Sequence, residues 1–181
     1  MYLARSILAV LFFFSSVGAV KAVFASEDSS SMAMKTETSP AFQSSQASNV
    51  LRQIAIAVAG GSEAMRALRG SPDEYGQKDR LQPMLPEMNC GIDRILSYIS
   101  CYSAVINNEK KAENVFNQLV DDVKAALPPD RWGPVQATPT LGSVRSISYQ
   151  DGKTGARIDI ELLVRPVQNF YIISLYGWSR L

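Results

Sequence analysis

Ala156, Ile158, Ile160, Leu162 and Val164 alternate with Arg157, Asp159, Glu161, Leu163 and Arg165. A period of two sends one set to a core face and the other to a polar face, which predicts a β-strand. The run before it, 144–149, is β-branched and aromatic and alternates less strictly. Between the two lies Asp151-Gly152, a turn dipeptide in which glycine accepts positive φ without a Cβ clash, so the pair predicts a hairpin. The last run, 169–178, is apolar on both sides: Phe170, Ile172 and Tyr176 point one way, Tyr171, Ile173 and Leu175 the other. Such a strand is normally covered on both faces. Pro166 marks the turn into it, since proline cannot donate to a ladder. Together the three runs predict an antiparallel meander, and its apolar face requires a covering layer.

Two segments have helical spacing. Over 49–69, Leu51, Ile54, Val58, Met65 and Leu68 fall on one face. Gly60-Gly61 interrupts this helix, either bending it or leaving Ser62 to cap a second one. Over 107–127, Ala112, Val115, Phe116, Leu119, Val120, Val123 and Leu127 form a continuous apolar stripe. Asn107 or Asn108 caps its start, Glu109 favours its positive end, and Pro128-Pro129 stops it. This second helix is the expected cover for the sheet. Residues 73–89 are polar, carry Pro83 and Pro86, and read as a loop with a short extended piece around 81–85. Residues 131–141 read as a connection, with Trp132 at the helix–sheet junction and a short edge strand around 135–138.

The segment 90–106 fits two descriptions. Ile92, Ile95, Leu96, Ile99, Tyr102, Val105 and Ile106 fit helical spacing, yet Cys90 and Cys101 are eleven residues apart. A helix through both would hold them about 16 Å apart, whereas a disulfide needs Cα atoms within about 7 Å. If the bridge forms, the segment is a hairpin, or a helix that starts late with Cys90 folded back onto it. Ile95-Leu96 is poor chemistry for a tight turn. The address of the chain favours the hairpin. Arg5, the apolar run 6–20 with its three phenylalanines, and Val23-Phe24-Ala25 read as a signal peptide cut after residue 25. In an oxidising compartment a pair of cysteines forms a disulfide, here contributing roughly 2–3 kcal/mol. Residues 26–48, rich in Ser and Thr, read as a disordered leader, and 49–181 as a single domain. The fold class is α+β: an N-terminal helix, a disulfide-tied hairpin or short helix, and a central amphipathic helix on a three- to four-stranded antiparallel meander.

Composition narrows the chemistry. The 181 residues include no histidine, which removes the usual general base and the commonest metal ligand together. Removal of Arg5 and Lys21 with the signal peptide takes the 18 basic residues to 16 against 17 acidic, and the formal charge from +1 to −1. Such a balance gives no electrostatic basis for nucleic-acid binding. No phosphate loop, nucleophile elbow, zinc spacing, glycosylation sequon or Ser-x-x-Lys pair lies in the domain. No cofactor or metal is implied, and membrane contact is expected only transiently, through the signal peptide.

Two groups of side chains remain as candidates. Asp159 and Glu161, with Arg157 and Arg165 beside them and Arg145 and Tyr149 joining from the neighbouring strand, form a candidate partner-binding face. A solvated strand face explains the same charges. Trp132, Phe170, Tyr176 and Trp178, with Tyr171 nearby, form a candidate aromatic pocket, and core packing explains those rings as well. The expectation is an exported, periplasmic or secreted, non-catalytic module that binds a protein or envelope component. The alternatives are a carboxylate-based hydrolase, which needs two carboxylates facing a cleft, and a secreted inhibitor or immunity-type protein.

Overall fold

The computed structural model describes residues 40–96, 98–165 and 167–180, with side chains from Ser45 onward. The signal-peptide segment and residues 26–39 of the expected leader lie outside the described residues. The described chain is α+β. It runs α1 (Pro40–Arg66), β1 (Arg69–Pro72), β2 (Lys78–Leu81), β3 (Met88–Asp93), β4 (Tyr98–Ser103), α2 (Glu109–Ala126), β5 (Trp132–Val135), β6 (Ser143–Asp151), β7 (Arg157–Arg165) and β8 (Phe170–Trp178).

All eight strands form one antiparallel sheet in the order β1-β2-β3-β4-β8-β7-β6-β5. The expected three- to four-stranded meander is therefore too small. Two four-stranded meanders are joined where β4 pairs with β8, from Tyr98 opposite Trp178 to Tyr102 opposite Ser174. The second half of this sheet follows the hydrophobic alternation, and β7 and β8 pair over their whole length, Arg157 opposite Trp178 through Arg165 opposite Phe170. The first half corrects the loop expected over 73–89. The strands β1 and β2, with sequences RGSP and KDRL, have no apolar alternation of their own. They are held by the pairing of β1 to β2 and of β2 to β3, and by Asp79, which accepts two hydrogen bonds from Arg94 (2.9 and 2.6 Å).

The segment 90–106 resolves as a hairpin. Cys90 and Cys101 stand directly opposite each other in β3 and β4 and are disulfide-bonded. The unfavourable Ile95-Leu96 turn is made by Asp93, whose Oδ1 accepts the N–H groups of both residues at 2.8 and 2.6 Å. This local side-chain bond replaces turn-forming residues at the tip. In the β6–β7 turn, positive φ falls not on Gly152 but on Gly155, at 73°.

Both helices cover one face of the sheet. The side chains of Cys90, Ile92, Ile99, Cys101, Ile158, Ile160, Leu162, Ile173 and Leu175 are buried beneath them. The cap on α2 is Asn108, which accepts the Lys111 N–H at 2.8 Å, and Phe116 on its inner face is fully buried. The first helix starts nine residues earlier than the expected position 49, and residues 67–69 have left it, with Arg69 in β1. Its start at Pro40 replaces part of the expected leader with helix. Val50, Leu51, Ile54 and Val58 anchor it to the core, and extending an anchored helix through Ala- and Gln-containing sequence costs little. It kinks at Gly61 (φ 82°). It lies close against the sheet at Gly177, where an added Cβ would be 2.7 Å from Val58 Cγ2; a side chain there would force the layers apart.

Candidate functional site

The face of the sheet away from the helices carries the polar and aromatic positions of the same strands. Register decides which residues share it. Across β4, β8, β7 and β6, the pairs Ser100–Tyr176, Asp159–Tyr176 and Ser148–Asp159 form one row. Tyr98, Trp178, Arg157 and Gln150 form the row beside it. Tyr102, Ser174, Glu161 and Ser146 form the row on the other side.

The connection 136–142, between β5 and β6, folds over part of this face. Thr140 donates to both oxygens of Glu161, from its N–H to Oε1 at 3.1 Å and from its hydroxyl to Oε2 at 2.5 Å. Arg157 donates to the Gln136 carbonyl at 3.1 Å. Beneath this flap Glu161 is only 1% exposed. Ser146 and Ser174, on either side of it, have buried hydroxyls without a hydrogen-bond partner. Asp159 is tied internally as well: its Oδ1 accepts from Arg157 Nε at 2.7 Å and from the Ser148 hydroxyl.

Beside the flap a cleft of about 540 Å³ opens, lined by Tyr98, Tyr102, Tyr176 and Trp178 and by the charged trio Arg157, Asp159 and Glu161. Tyr98 stacks on Trp178 with ring centroids 4.6 Å apart, and Tyr102 meets Tyr176 edge-on at 5.8 Å. Burial, and then the adjoining Tyr176 hydroxyl, push the Tyr102 phenol well above its ordinary range, so it stays neutral at any physiological pH. On the opposite flank Lys78 Nζ lies 5.6 Å from the Tyr98 centroid and donates to the Ser100 hydroxyl.

The expected site residues are divided by the sheet. Arg157, Asp159, Glu161, Tyr176 and Trp178 come together in the cleft. Arg165 and Phe170 are on the same face but opposite each other at the far end of β7 and β8, roughly 20 Å from Asp159 along the strand. Arg145 and Tyr149 face the helices instead: Arg145 lies over the Phe116 ring at 4.6 Å, and Tyr149 packs against the core. Burial, and then the nearby charge of Asp121, raise the Tyr149 pKa. Trp132 is buried in β5 opposite Asp151, away from the cleft. Register places Arg145 and Tyr149 on the helix side: they stand opposite the core residues Leu162 and Ile158 in an unbroken ladder, and the one-residue shift in β6 lies beyond them, between Ser143 and Arg145. The sequence reading missed Tyr98 and Tyr102. Their signal is the alternation Tyr98-x-Ser100-x-Tyr102 in β4, hidden while Tyr102 also fitted a helical stripe.

A second cavity, about 730 Å³, lies on the helix side between α1 and α2 and is lined largely by apolar groups such as Leu51, Leu85, Met88 and Leu119. Among the described residues no cluster of acidic and cysteine side chains has the arrangement of a metal site, and no helix is long and apolar enough to cross a membrane. No family model, no curated protein and no solved structure matches this chain.

Proposed function

We propose that this chain is an exported, non-catalytic binding module that recognises a protein or envelope component through the outer face of its sheet. The observation that carries this reading is the state of the two carboxylates. Asp159 is paired with Arg157, and Glu161 is held by Thr140 beneath the flap. Hydrolysis by paired carboxylates needs one acid and one base or nucleophile free to meet the substrate. Here both are occupied in holding the outer face together, while exposed aromatic surface is left beside them, with Trp178 40% exposed. Aromatic side chains bring large contact area at low conformational cost, which suits recognition. Asp121 and Asp122, the other acidic pair, belong to α2 on the opposite side of the sheet. The Cys90–Cys101 disulfide supports the exported address.

The test is affinity capture from an envelope extract of the protein's own source, comparing the wild-type chain with a Tyr98→Ala/Trp178→Ala variant of verified fold. A stoichiometric component retained by the first and lost by the second supports the reading. Capture that is indifferent to the double substitution, or no specific component at all, counts against it.

A further inference from the structure

The cleft is lined by hydrogen-bonding groups that the fold leaves unused. Asp159 accepts its two hydrogen bonds at Oδ1, from Arg157 and Ser148, so its Oδ2 is vacant. Arg157 donates through Nε and Nη2, to Asp159, the Gln136 carbonyl and Ser148, and among the described residues its Nη1 meets no acceptor. Both side chains line the cleft and remain partly exposed, Arg157 at 28% and Asp159 at 16%. One ion pair thus offers a spare donor and a spare acceptor side by side. The row beneath the flap has the same character. The hydroxyls of Ser146 and Ser174, on either side of Glu161, are buried without a partner. A buried polar group left unpaired costs free energy that a hydrogen-bonding ligand recovers.

Charge disfavours an ionic ligand. A cation would meet the Arg157 guanidinium in the cleft and the Lys78 ammonium over the Tyr98 and Tyr102 rings. An anion would meet the Asp159 carboxylate. The ring faces are largely taken within the protein, since Tyr98 stacks on Trp178 and Lys78 stands over Tyr98 and Tyr102. What is left is the exposed part of the Trp178 indole, an apolar surface beside polar groups. The matching ligand is neutral, dense in groups that both donate and accept, and apolar along its C–H surface. A sugar ring has these properties. Each hydroxyl donates one hydrogen bond and accepts others, so neighbouring hydroxyls satisfy Asp159 Oδ2 and Arg157 Nη1 together, while the C–H surface packs on the indole.

We propose that the outer-face cleft binds a neutral saccharide. This rests on reading the outer face as a recognition surface, and it names the class of envelope component recognised there. Asp159 and Arg157 take the ligand hydroxyls, the exposed part of Trp178 takes its C–H surface, and Thr138 of the flap adds a hydroxyl to the lining.

The experiment applies the disulfide-intact full chain to a microarray of neutral and sialylated glycans. The strongest neutral hit is then titrated as the free oligosaccharide and as its terminal monosaccharide, by calorimetry and tryptophan fluorescence. Saturable binding of a neutral glycan is expected, with its sialylated counterpart at least about tenfold weaker, because Asp159 repels the added carboxylate. Asp159→Asn keeps the side-chain shape and turns the vacant acceptor into a donor. That variant and Trp178→Ala are each expected to weaken binding by about tenfold or more. Trp178 is partly exposed, so its variant serves even if Asp159→Asn fails to fold. Arg165→Ala, at the far end of β7, is expected to leave the affinity unchanged. Binding of the monosaccharide as tightly as the oligosaccharide assigns a single sugar, and binding of the oligosaccharide alone assigns a glycan chain. No neutral glycan bound, equal or tighter binding of the sialylated forms, or an affinity indifferent to either cleft substitution in a folded variant overturns the assignment. If no glycan binds while envelope capture still depends on Tyr98 and Trp178, the recognition surface stands and its partner is not a saccharide. If both fail, both readings fall.

Discussion

The two faces of the sheet are built from the same strands and follow different rules. On the helix-covered face, Ile158, Ile160 and Leu162 of β7 and Ile173 and Leu175 of β8 are buried aliphatics, Gly177 lets α1 approach, and Phe116 and Val58 seat the helices on it. On the outer face the intervening residues are charged groups, aromatic rings and Ser174, with one aliphatic pair, Leu163 and Ile172, and hydrogen bonds link Arg157 and Glu161 to a flap. The comparison separates what holds the fold from what the fold displays. Substitutions on the covered face are felt as stability, and those in the outer cleft as recognition.

The sharpest break in that comparison comes from Phe116→Ala. Phe116 is fully buried beneath Arg145, and emptying such a site costs about 3–5 kcal/mol. Denaturant unfolding should show that loss; a cost below about 1 kcal/mol would mean that α2 is not the principal cover. Next in size is the disulfide, which also lies on the covered face. Removing it in a Cys90→Ala/Cys101→Ala variant should cost roughly 2–3 kcal/mol, by the same assay, and leave the β3–β4 hairpin in place.

These covered-face effects show why the sequence exposed only part of the architecture. Strict alternation in 156–165 and a capped apolar stripe in 107–127 are local signals, and both elements form close to where those signals place them. The strands β1 and β2 are four residues each and derive their structure from pairing partners elsewhere in the chain. Nothing in RGSP or KDRL announces a strand. The site was legible in the same proportion. Alternation within β7 puts Asp159 and Glu161 on one face, alternation within β8 does the same for Tyr176 and Trp178, and the β7–β8 hairpin between neighbouring segments joins the two pairs. Bringing Tyr98 and Tyr102 beside them requires the β4–β8 pairing between distant segments. Arg145 and Tyr149 face the helices because the β6–β7 pairing sets them opposite Leu162 and Ile158, a register that the alternation within β6 alone does not reveal.

A charged group on a core position sharpens the comparison further. Asp151 is fully buried, and it accepts two hydrogen bonds from Arg131 and one from the Thr154 hydroxyl. The Arg131 hydrogen bonds are the largest cause of its pKa falling to about 2. A carboxyl depressed in the folded state stabilises fully above its unfolded pKa of about 3.9 and loses that contribution as pH falls toward 2. Asp151→Asn should therefore be less stable than wild type at pH 6, with the gap closing between about pH 4 and pH 2. Unfolding curves across that range check it, and a gap independent of pH would contradict the assignment. The smallest effect is expected at Ser174, whose buried hydroxyl has no partner. Ser174→Ala should be neutral or stabilising, by no more than about 1 kcal/mol, because it removes an unpaired polar group. A loss of stability greater than that would mean the hydroxyl is hydrogen-bonded in solution.

The division of labour itself is tested most directly by Trp178→Ala, with unfolding free energy and envelope capture measured on the same preparation. The account predicts that capture is lost while stability falls by no more than about 1.5 kcal/mol, the scale of one aromatic stacking contact. Retained capture, or a stability loss matching that of Phe116→Ala, would contradict it.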